Sequence, residues 1–112
     1  MINYEWQQFI NNSKERCGVV LKNGQVVELP NKHPEPERNF RIMAEDIEPY
    51  LEELSALWHT HCDGSYNLSM NDYQLFVSKP DLDQFIISDR GVALYRVDKG
   101  FVMNIERRLF DA

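Results

Sequence analysis

Apolar positions recur along the chain with two different periods. Ile2, Trp6, Phe9 and Ile10 fall at i, i+4, i+7 and i+8, which predicts a helix ending near Asn12-Ser13. From Cys17 the pattern changes. Cys17-Gly18-Val19-Val20-Leu21-Lys22 and Gln25-Val26-Val27-Glu28-Leu29 flank Asn23-Gly24. Asn-Gly between two apolar runs predicts a hairpin, because a type I′ turn needs positive φ at both central residues. Pro30, Pro34 and Pro36 make residues 30–39 an extended loop. It is long for a domain of this size, which marks it for function or mobility. Phe40-Arg41-Ile42 is predicted as a short strand. Ala44 to about Leu54 reads as an acidic helix with Ile47, Tyr50, Leu51 and Leu54 on one face, which Pro49 starts or kinks.

Ser55 to His61, with Ala56-Leu57-Trp58-His59-Thr60-His61, is a compact strand, followed by a polar loop from Cys62 to Leu68. Ser69-Met70-Asn71-Asp72 has the form of a helix N-terminus with Ser69 as N-cap, and that helix runs to about Ser78, before Lys79-Pro80. Phe85-Ile86-Ile87-Ser88 and Val92-Ala93-Leu94-Tyr95-Arg96-Val97 are two strands joined by Asp89-Arg90-Gly91. Phe101 to Phe110 carries both strand and helix character, and its pattern does not choose between them. Phe76, Phe85, Trp58 and the aliphatic runs are core by default. These elements predict an α/β (α+β) fold: a mixed, mostly antiparallel, curved sheet flanked by helices, with the first helix on one side.

Composition adds limits. The chain has 112 residues, 43% hydrophobic and 27% charged, the values of one soluble globular domain spanning 1–112. Net charge is −6 and the 12 Lys and Arg residues are scattered, so no basic stripe invites a nucleic acid. No apolar run approaches the roughly 20 residues that span a bilayer. Met1-Ile2-Asn3-Tyr4-Glu5-Trp6 has neither the basic start nor the apolar stretch of a signal peptide, so the expected location is cytoplasmic. Cys17 and Cys62 make no Cys-x-x-Cys pair and no disulfide framework.

Candidate chemistry centres on His59 and His61. Two residues apart on a strand, they point to one face and can aim both imidazoles at one ion. Asp72, in the first turn of the following helix, would be a third ligand, leaving a fourth tetrahedral position for water as catalytic zinc sites do. A carboxylate must then carry the proton. Alone, His-x-His on a strand is more often ordinary surface or core.

The surrounding residues change that. Leu57-Trp58-His59-Thr60-His61, then Ser69 and Asp72, resembles the signature of the JAMM (JAB/MPN+) zinc metalloproteases: an apolar strand into His-x-His, seven residues, Ser, two residues and Asp. Upstream, Glu15-Arg16-Cys17-Gly18-Val19-Val20 resembles that family's Glu segment. The resemblance covers roughly Ser13 to Arg96. It implies a JAMM/deaminase-like architecture with the Ser69 helix at the metal edge. It implies Zn2+ held by His59, His61 and Asp72, Glu15 as general acid/base, and Ser69 as a donor to the oxyanion. The reaction implied is hydrolysis of a peptide or isopeptide bond. The Glu-x-Cys-Gly opening is most similar to short bacterial and phage members, including tail-assembly proteins of lambda-like phages. Implied partners are therefore a peptide or ubiquitin-like substrate, phage tail proteins or an NlpC-type peptidase, in the host cytoplasm or on the virion.

Two departures from the family pattern are Cys62 and Leu68, where prolines are usual. Cys62 should point away from His61 if the strand continues, and Cys17 is read as a small buried hydrophobe. His33 has no partner at ligand spacing and is expected at the surface. Glu45, Asp46, Glu48, Glu52 and Glu53 are read as a solvated helix face. A competing reading is an assembly protein that keeps the fold without turnover. A zinc deaminase would need His-x-Glu and Pro-Cys-x-x-Cys, and a zincin His-Glu-x-x-His. Neither motif is present.

Overall fold

Strands buried on both faces read as continuous apolar runs, and the middle of the sheet is built from four such runs. β1 (Cys17–Leu21), β3 (Leu54–Thr60), β4 (Asp83–Ile87) and β5 (Gly91–Asp98) lie between two edge strands, β2 (Val26–Leu29) and β6 (Phe101–Leu109). The order across the six-stranded sheet is β2-β1-β3-β4-β5-β6. Neighbours are antiparallel except β3 and β4, which run parallel. The mixed, mostly antiparallel sheet expected from the strand pattern is therefore present. This computed structural model describes residues 6–10, 13–62 and 81–110. The Ser69 helix and N-cap, Asp72, Phe76 and the loop from 63 to 68 lie outside the described residues.

Both faces of the sheet are covered. On one, Val20, Ala56, Trp58, Phe85, Ile87, Val92 and Leu94 pack with Trp6, and Phe9 and Ile10 lie against them. Trp6 belongs to a 3-10 helix, Trp6–Phe9, and its ring sits 4.9 Å from Phe85 and 5.7 Å from Trp58. On the other face, Val19, Leu21, Leu29 and Leu57 lie under Ile42, Ile47, Tyr50 and Leu54. Ile86, Ala93 and Tyr95 extend this layer toward β6.

Several local expectations are corrected. The acidic helix is α only over α1 (Ala44–Ile47) and then tightens to 3-10 over Glu48–Glu53, with Leu54 already in β3. Pro49 is the cause: it has no N–H to give to the carbonyl of Glu45, and its ring crowds that carbonyl. Leu51, assigned to the inward face, is exposed. Phe40–Ile42 is not a strand. Its central backbone groups are used within the loop, Arg41 N–H donating to Asn31 Oδ1 and Arg41 O accepting from Lys32 N–H.

The β1–β2 hairpin is present, but its turn is not type I′. Gly24 has φ 91° whereas Asn23 is not in the positive region. Gly24 N–H donates to Leu21 O at 2.8 Å and Leu21 N–H to Gln25 O at 2.9 Å, so the loop holds three residues with glycine in the left-handed position. Positive φ at two successive residues occurs instead at Lys99 (52°) and Gly100 (84°), the turn into β6. The ambiguous tail is thus a strand. Among the described residues no helix is long and apolar enough to cross a membrane.

Candidate functional site

β1 and β3 pair antiparallel with Cys17 opposite His59 and Val19 opposite Leu57. Thr60 N–H donates to Arg16 O, and Arg16 N–H donates to Thr60 Oγ1, both at 2.8 Å. These two bonds tie Arg16 to Thr60 just beyond the last strand pair, with Glu15 and His61 next along their two chains. His61 is held from the other side by its N–H bond to Ile87 O at 2.7 Å. Of the predicted site residues, His59 and His61 come together at the end of β3, and Glu15 lies two residues before Cys17, which pairs with His59. Ser69 and Asp72 lie outside the described residues.

His59 is 1% exposed. Its ring centroid stands 5.0 Å from that of His61 with the planes tilted by 54°, and the two Nε2 atoms approach to 3.2 Å. With a proton on one nitrogen this is an N–H···N hydrogen bond. With both lone pairs turned to the gap it is a half-built cation site. Two nitrogens about 2.0–2.1 Å from one tetrahedral zinc stand roughly 3.3 Å apart, so the observed separation fits that ion. Among the described residues no cluster of three or more His, Cys, Asp or Glu side chains could hold a metal ion.

Glu15 is buried, a rare state for a carboxylate. Its N–H donates to Pro36 O at 2.6 Å and its carbonyl accepts from Asn31 Nδ2 at 2.8 Å. Cys17, two residues on, is fully buried. Burial pushes its thiol up to about 12, and the Glu28 and Glu15 carboxylates add to the shift. It stays a neutral thiol, matching the small-hydrophobe reading and unsuited to nucleophilic attack. Cys62, next to His61 in the chain, is half-buried and forms no disulfide.

Trp58 alternates with the histidines onto the opposite face, as expected, and its Nε1 donates to Val27 O at 3.3 Å. His33 is half-buried rather than surface-exposed, and its Nδ1 accepts the Glu35 N–H at 3.0 Å, shaping the loop. Of the acidic run, Asp46 pairs with Lys32 at 3.0 Å, and the others lie at the surface. Arg16 grips the carboxylate of Glu28, with Nε 2.7 Å from Oε2, and lies over the Phe9 ring.

Two residues escaped the sequence reading. Phe40 stacks on the His59 ring, centroids 4.3 Å apart and planes at 21°, which limits the rotation of that imidazole. Asn31 holds the loop that delivers Phe40. Asparagine directly after a proline in a loop is a turn-forming signal, but nothing local tells what its amide will reach.

No family model matches the chain, and no curated protein matches it. Among solved structures, the solution structure of protein DSY2949 from Desulfitobacterium hafniense is similar, with a TM-score of 0.73 over 91% of this chain and 84% of that one. At 18% identity the likeness is one of fold.

Proposed function

We propose that this chain is a zinc-dependent hydrolase of the JAMM kind, cleaving a peptide or isopeptide bond. The observation that carries the reading is the 3.2 Å approach of the His59 and His61 Nε2 atoms at the end of the ladder where buried Glu15 enters β1. A buried carboxylate two residues before the strand partner of His59 fits the role of a proton carrier. In this reading His59 and His61 hold the ion and Asp72 completes the set, as the family resemblance implies. Zinc, when bound, lowers the pKa of its water to about 7. Glu15 would take a proton from the attacking water and pass it to the leaving nitrogen, and the Ser69 hydroxyl would donate to the carbonyl oxygen as negative charge develops there.

The JAMM/deaminase-like architecture belongs to the same proposal: a Glu at the start of one strand, His-x-His at the end of its antiparallel neighbour. The substrate class is a peptide or ubiquitin-like protein, and a role in phage tail assembly or processing follows from the same resemblance. The test is zinc analysis of the purified chain, before and after reconstitution, followed by cleavage of a peptide and isopeptide panel. About one zinc per chain with metal-dependent cleavage is the expected result. A chain that takes up no zinc overturns the proposal. One that binds zinc and cleaves nothing is instead the assembly protein that keeps the fold without turnover.

A further inference from the structure

We infer that Asn31 is the positioning residue of this site: one carboxamide ties the backbone of Glu15 to the segment carrying Phe40, and so sets the acid/base relative to His59. The inference rests on the proposed function for the roles of Glu15 and His59, but the clasp itself is a matter of geometry. Asn31 Nδ2 donates to Glu15 O at 2.8 Å and to Asn39 O at 2.9 Å. Its Oδ1 accepts from His33 N–H at 3.1 Å and from Arg41 N–H at 3.0 Å. Both donors and both lone pairs of the amide are therefore engaged.

The partners give the network its meaning. Asn39 and Arg41 are the two neighbours of Phe40, and Phe40 is the ring stacked on His59 at 4.3 Å. Glu15 is gripped from its other side by Pro36 O, a residue of the same loop. The loop thus touches Glu15 through its backbone and His59 through an aromatic face, and the Asn31 side chain bonds to Glu15 and to both neighbours of Phe40. Residues 39–41 lie in no strand or helix, so no ladder would hold Phe40 in place if the clasp were lost. Lys32, bonded to Arg41 O through its N–H and paired to Asp46 through its ammonium, secures the adjoining turn. The residue type is specific. Aspartate would set a carboxylate against two carbonyls, serine has one donor, and a longer amide would overshoot.

The experiment uses the full chain, zinc-free and zinc-loaded, with Asn31→Asp and Phe40→Leu variants. In zinc-free protein the His59 ring protons should be shifted upfield by the Phe40 face. Phe40→Leu should abolish that shift, and Asn31→Asp should lose most of it while the amide spectrum of the central strands is retained. On loading, each variant should weaken zinc binding by about tenfold, the lower range for residues that orient metal ligands. At saturating zinc, Asn31→Asp should lower kcat with KM held, because Glu15 moves and the substrate surface does not. An unchanged His59 ring shift in folded Asn31→Asp overturns the inference. Should that variant fail to fold, exchange of the Arg41 and His33 amides in the parent chain decides, since Asn31 Oδ1 protects both. Exchange at unprotected rates overturns the clasp, and slowed exchange supports it. A parent chain that takes up no zinc overturns the proposed function, while the ring shift and amide exchange still judge the clasp.

Discussion

Gly18→Ala tests why a glycine stands beside the buried Cys17. Gly18 is not in the left-handed region, so its role is space rather than backbone freedom. It pairs with Glu28 of β2 on one side and Trp58 of β3 on the other. A methyl placed there would lie 2.0 Å from Val27 O and 2.7 Å from Trp58 Nε1. Those are the two ends of the Trp58–Val27 hydrogen bond, so the methyl crowds both partners of that bond at once. The carbonyl is backbone and can retreat only by shifting β2. Overpacking costs about 1–3 kcal/mol, the lost hydrogen bond adds about 0.5–1.5, and a stiffer unfolded chain returns roughly 0.4–1. The net spans a loss of about 0.5–4 kcal/mol with a midpoint near 2, or a Tm lower by about 10 °C for a domain of this size. Thermal unfolding followed by circular dichroism measures it, with urea unfolding to show that m is unchanged. Because Cys17 lies opposite His59, the displacement should also reach the histidine pair. A variant whose Tm stays within about 2 °C of the parent would refute the reasoning.

Glu15→Gln should fold, bind zinc as the parent does and lose about 10²–10⁴-fold in hydrolysis, since the amide keeps the volume but cannot accept a proton. Single-turnover cleavage at saturating zinc measures it, and unimpaired turnover would sink the acid/base role. His59→Ala should lose most zinc affinity in a chelator competition, because His61 and one carboxylate alone hold the ion poorly. Retained affinity would mean that the histidines do not share the ion. For Cys17, whose thiol is raised to about 12, the sign follows from which form burial favours. The fold favours the neutral thiol, so its contribution is intact below the unfolded-chain pKa of about 8.5 and is lost as pH climbs toward the folded value. The parent's urea midpoint should therefore fall between about pH 9 and 11 more steeply than that of Cys17→Ala, and equal slopes would show that the thiol is not linked to alkaline unfolding.

The central strands were legible because burial on both faces leaves an unbroken apolar run, as in Val19-Val20-Leu21 and Phe85-Ile86-Ile87. The edges were not. β6 leaves Phe101, Met103 and Leu109 largely exposed, so its pattern carries no clean period, and only pairing with β5 makes it a strand. Phe40-Arg41-Ile42 has strand-forming composition, yet its backbone bonds to Asn31 and Lys32. Local propensity yields there to partners about ten positions away. The hairpin followed from Asn23-Gly24, but the three-residue loop depended on how β1 and β2 meet.

For the candidate site the division is similar. The sequence by itself determined the donors and their local geometry: His59 and His61 two apart on one strand, and Glu15 two before Cys17, because alternation along a strand is a property of the chain. It determined nothing about the distance between Glu15 and those histidines. Their placement depends on the β1–β3 register, on the Thr60 hydroxyl that ties β3 to Arg16, and on a loop closed by one asparagine. These contacts join residues separated by 44 positions in one case and by 16 in another. Such separations are set by packing of the whole sheet, in which no short stretch of sequence has a say.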